Sequence, residues 1–65
     1  MNEDATIKIF SKIQSLERDL QWIYSEYFDE QLNDDQFMAM VDSTERDIQI
    51  HYYIYNLIIN DARQN

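Results

Sequence analysis

The chain contains no glycine, no proline and no cysteine, and only one histidine. Without glycine, no residue takes a positive φ free of steric cost, and the tight turns of β-hairpins lose the residues they favour. The same absence excludes a glycine-rich phosphate loop, and with it the common nucleotide-binding motifs. Without cysteine, neither a disulfide framework nor a thiolate metal cluster adds stability. Basic residues are scarce as well. Lys8, Lys12, Arg18, Arg46 and Arg63 stand against 13 carboxylates, for a net charge of -8. A field of that sign repels a phosphate backbone, so direct binding of nucleic acid is not expected. Long apolar runs are missing too: the longest nearly uncharged stretch, residues 48–60, is shorter than the ~20 residues a bilayer requires and contains Gln49, His51 and Asn56. The acidic start, Met-Asn-Glu-Asp, is unlike a signal peptide. A soluble, cytoplasmic protein that does not engage a membrane is the expectation.

What is present points to helices. Apolar residues make up 45% of the 65, too many for a disordered tail, although the length is near the lower limit for a self-sufficient core. Ile9, Ile13, Leu16, Leu20, Ile23 and Tyr27 recur at alternating spacings of four and three, the seam of one helix face. Lys12, Gln14, Glu17, Arg18, Asp19 and Gln21 supply its polar side. Trp22, Tyr24 and Phe28 are expected to widen the apolar stripe near its end. A first helix over about residues 4–28 follows.

The break falls at residues 29–33. Asn33 reads as an N-cap in a capping box with Gln36, Leu32 and Phe37 as a hydrophobic staple, and Asp34 and Asp35 suit the first turn of a helix dipole. A second helix over about 34–62 continues the seam through Phe37, Val41, Thr44, Ile48, His51, Tyr55, Ile58 and Ala62. Ile48, Ile50, Tyr52 and Ile54 also alternate as a strand would, but a lone strand in so short a chain leaves both edges exposed. The fold expected is all-α: one domain, an antiparallel two-helix hairpin with helices of about 25 residues, each ~38 Å long.

Two features exceed what such a hairpin needs. Ile50, Tyr53, Ile54 and Leu57 lie off the seam of the second helix, and burying such side chains is worth about 1.5–3 kcal/mol each. With Ile48 they form a candidate interface, most simply a homodimer assembled as a four-helix bundle. The alternative occupant is a different protein. Charge is also uneven: eight carboxylates fall between Glu26 and Asp47, with Arg46 the one base among them. Asp29, Glu30, Asp34, Asp35 and Asp42 thus make an acidic tip, which serves solubility or meets a basic protein surface, in one reading as a mimic of DNA phosphates.

Catalytic and metal signals are thin. His51 has Asp47 one turn before it, so a carboxylate orients the ring or the imidazole bonds across to the other helix, but nothing completes a nucleophilic set. A single His-carboxylate pair is too little for a metal site. Asp29, Asn33 and Asp35 lack the glycine and closing glutamate of an EF-hand. No cofactor is expected, and the five tyrosines and Trp22 suit packing and interfaces.

Three families of helical hairpins share local features. Ser43-Thr44-Glu45-Arg46-Asp47, with Ile50 and Tyr53 beyond, resembles the Ser-Gln-Glu-Leu-Asp signature of small aspartyl-phosphate phosphatases that act on a sporulation response regulator, with Thr44 and Arg46 replacing Gln and Leu. That resemblance implies a phosphatase. The overall layout is similar to type III secretion co-chaperones, and Leu32-Asn33-Asp34-Asp35-Gln36-Phe37 to a helix start in Hha-type nucleoid modulators. Surfaces without an assembled active site favour a non-catalytic protein-binding regulator: an inhibitor, adaptor or chaperone-like module.

Overall fold

The computed structural model describes residues 2–64, and their side chains except those of 2, 3, 62 and 64. The expected seam residue Ala62 therefore lies outside the described side chains. Helix α1 spans Asn2–Phe28 and α2 spans Asp34–Gln64. Each extends two residues beyond its sequence-based bound at the free end, and both meet the break at 29–33. Residues 48–54 are helical rather than a strand. The helices run antiparallel, since Phe10 near the start of α1 meets Tyr55 and Tyr24 near its end meets Phe37.

The connection is built from local hydrogen bonds. The Gln31 N–H donates to the Glu26 carbonyl at 2.9 Å and the Glu30 N–H to the Tyr27 carbonyl at 3.1 Å. This pair of bonds is a Schellman turn, which satisfies two of the carbonyls a helix end leaves unpaired. It requires a left-handed residue, and Glu30 takes that role with φ 62°. A chain without glycine thus still makes the corner, at a steric cost of about 1–2 kcal/mol. Two residues on, the capping box forms as the sequence indicated. The Gln36 N–H donates to Asn33 Oδ1 at 2.8 Å, and the Asn33 N–H donates to Gln36 Oε1 at 3.1 Å.

Above the turn, Phe37 packs against two aromatic rings from α1. Tyr27 stacks on it with centroids 4.0 Å apart, and Tyr24 meets it edge-on at 5.3 Å. The Tyr27 hydroxyl then donates to Asp34 Oδ1 at 2.7 Å, tying the end of α1 to the first turn of α2.

The core is small and lopsided. Among the described residues only Ile13, Leu16 and Ile23 are buried hydrophobics, all from α1. Their seam neighbours Ile9, Leu20 and Tyr27 are half-buried, as is every described seam residue of α2 from Phe37 to Ile58. Of the three residues expected to widen this stripe, Tyr24 does so through its edge contact with Phe37, whereas Trp22 and Phe28 stand 55% and 80% exposed. One partner helix covers a face only about 100° wide, and Trp22 and Phe28 fall outside it.

Candidate interaction surface

The helical period separates two faces of α2. Residues at 48, 51, 55 and 58 point to α1, while 50, 53, 54 and 57 repeat at the i, i+3, i+4, i+7 spacing on a line roughly a third of a turn away. On that line Ile50, Tyr53 and Leu57 are 54%, 66% and 50% exposed. The five candidate interface residues are thereby divided. Ile48 lines the groove between the helices beside Glu17, Leu20, Glu45 and Gln49, Ile54 is half-buried at the border of the two faces, and the other three face outward. Charged residues close the outer stripe at both ends. Arg46 stands one turn before Ile50, and Asp61 one turn after Leu57.

At the turn, Asp29, Glu30, Asp34 and Asp35 are all exposed. Asp34 is engaged by the Tyr27 hydroxyl, and this contact raises the tyrosine above its ordinary value of 10.0: first through the hydrogen bond, then through the carboxylate charge, then through desolvation. Asp42 sits two turns further along α2 and forms an ion pair with Arg46, the one such pair among the described residues. Both partners are well exposed, so the pair contributes at most a few tenths to 1 kcal/mol.

The imidazole of His51 takes neither of its expected partners. Its Nδ1 lies 2.6 Å from the backbone carbonyl of Asp47 on the same helix. A carbonyl only accepts, so Nδ1 carries the proton, and neither the Asp47 carboxylate nor α1 holds the ring. The four-residue offset brings Nδ1 to the carbonyl a turn earlier, a contact that residue spacing alone does not distinguish from one to the carboxylate. Ser43, Glu45, Arg46 and Asp47 are exposed and Thr44 half-buried, so the segment that resembles the phosphatase signature winds around α2 instead of lining one pocket. Among the described residues, no three His, Cys, Asp or Glu side chains gather as a metal site, and no helix is long and apolar enough to cross a membrane.

Sequence reasoning passed over Ile7, Phe10 and Met38 and met Tyr52 only in the strand pattern, yet all four are large and exposed. Phe10 had a usable signal: it borders the α1 seam, and its ring lies 6.3 Å from that of Tyr55. No protein-family model, curated protein or solved structure matches the chain.

Proposed function

We propose that the chain is a small acidic protein-binding regulator without catalytic activity. Its working unit is a homodimer, joined as a four-helix bundle through the outer face of α2, and its acidic tips meet a basic protein surface. One observation carries this reading: α2, 31 residues long, has no buried residue among those described, yet it aligns Ile50, Tyr53 and Leu57 outward.

Surface area points the same way. A compact monomer of 8.0 kDa exposes about 4450 Å², whereas this chain exposes 5266 Å². The excess of about 800 Å² matches one partner's share of a standard protein interface. Covering the wet half of each outer side chain is worth about 1 kcal/mol, a large fraction of the stability of so small a domain.

Binding of a second copy stabilises the folded state by mass action, so the melting temperature should rise as protein concentration goes from ~10 to ~300 μM. Tyr53→Glu combined with Leu57→Glu should remove that dependence while α1 stays helical. A concentration-independent melt of the native sequence would remove the dimer from the proposal. For the tip, a lysine- and arginine-rich peptide should bind more weakly as salt rises, and replacing Asp29, Glu30 and Asp35 by their amides should weaken it further. Should Asp47→Asn abolish phosphate release from a phosphorylated response regulator, the phosphatase resemblance would displace the non-catalytic reading.

A further inference from the structure

The outer stripe of α2 is apolar through its middle and ends in opposite charges: Arg46, Ile50, Tyr53, Ile54, Leu57, Asp61. From its midpoint between residues 53 and 54, Ile50 and Leu57 are equally distant, and so are Arg46 and Asp61, a base at one end and an acid at the other. We propose that the occupant of this face is α2 of a second copy, laid antiparallel about a two-fold axis at that midpoint, with Arg46 of each copy opposite Asp61 of the other. This rests on the homodimer reading and adds its orientation, register and charge lock.

Antiparallel pairing about the midpoint sets Ile50 level with Leu57 of the second copy and Tyr53 level with Ile54, so the exposed apolar groups cover one another. It also brings opposite charges together twice, once at each end of the stripe. The competing arrangements do worse. Parallel pairing sets Arg46 against Arg46 and Asp61 against Asp61. Sliding one copy by four residues sets Asp61 against Asp42 and Arg46 against Leu57 in one direction, or Asp61 against Ile50 in the other. A two-fold, self-complementary patch is the geometry of a closed dimer. Arg46 is free to take this part. Its side chain is 70% exposed and held only by the surface pair with Asp42, a contact weak enough to be shared or exchanged.

Charge exchange tests the register on the full chain, with the dimer dissociation constant read by sedimentation. Arg46→Asp and Asp61→Arg should each weaken the dimer roughly fivefold, because each turns two attractions into two repulsions. The double variant should recover to within about twofold of the native sequence. Loss of the Asp42 contact alone predicts no such recovery, since the double variant lacks that contact too.

Cysteine pairs give an independent readout in a chain with none of its own. An equimolar mixture of Ile50→Cys and Leu57→Cys should oxidise mainly to the mixed disulfide, because 50 and 50 of the two copies stand about 10 Å apart along the axis. A native dimer insensitive to both charge reversals, or 50–50 and 57–57 homodisulfides in preference to the mixed one, would overturn the register and leave the dimer standing. A native monomer at ~100 μM would instead overturn the dimer on which the register depends.

Discussion

Glu30 occupies the one backbone position in the turn where glycine would be the favoured residue, and it is held there by the two bonds of the Schellman turn. Glu30→Gly removes a steric cost of about 1–2 kcal/mol while adding roughly 0.5–1 kcal/mol of unfolded-chain entropy. Thermal melting should therefore show a net stabilisation of about 0.5–1 kcal/mol, and a destabilised variant would mean the glutamate side chain is needed. Asn33→Ala removes one half of the capping box and should cost about 1 kcal/mol. These two residues differ in legibility. The Asn33–Gln36 box has its own sequence pattern, whereas nothing in Asp29-Glu30-Gln31 marks which residue turns left-handed, because glycine is absent. Tyr27 adds a pH dependence. Its raised pKa means that the neutral hydroxyl stabilises the fold fully below about pH 10 and loses that contribution as pH climbs through the higher folded value. The native chain should thus be more stable than Tyr27→Phe near neutrality, and the gap should close in alkali. A gap that is unchanged well above pH 10 would show that Asp34 is not the partner that matters.

The seam of each helix was readable because three-and-four spacing fixes which side chains share a face, whatever they pack against. What spacing cannot give is the breadth of that face. Trp22 and Phe28 sit next to seam positions in sequence, yet one opposing helix leaves them wet. Ile54 shows the converse, standing off the seam but drawn half under cover. The unequal burial of α1 and α2 had a partial signal, since the α1 seam is apolar throughout while Thr44 and His51 interrupt that of α2. It has a measurable consequence: Ile13 is wholly buried, so Ile13→Ala should cost about 2–5 kcal/mol. Ile50→Ala, measured at a concentration where the chain is dissociated, should cost under about 1 kcal/mol. Comparable losses from both would mean that the outer face of α2 is covered within one chain.

The molecule is a rod of 50 × 15 × 10 Å with a radius of gyration of 15.0 Å, against about 11 Å for a compact domain of this length. Such a shape places most side chains near water, and it explains why only three of the described residues are buried. Antiparallel pairing at residues 53–54 would leave the two acidic turns overhanging opposite ends, about 65 Å apart at 1.5 Å per residue, so that one dimer could engage two basic surfaces at once. The elongated shape and the unfilled outer face were only partly foreseeable. Excess apolar residues on α2 signalled that something must cover them, whereas which of them stay exposed follows only from how the two helices pack. Sedimentation equilibrium at ~100 μM tests the central claim most directly. A homodimer predicts a reversible species of twice the 8.0 kDa chain mass, dissociating on dilution. A single 8.0 kDa species across the whole concentration range would contradict it.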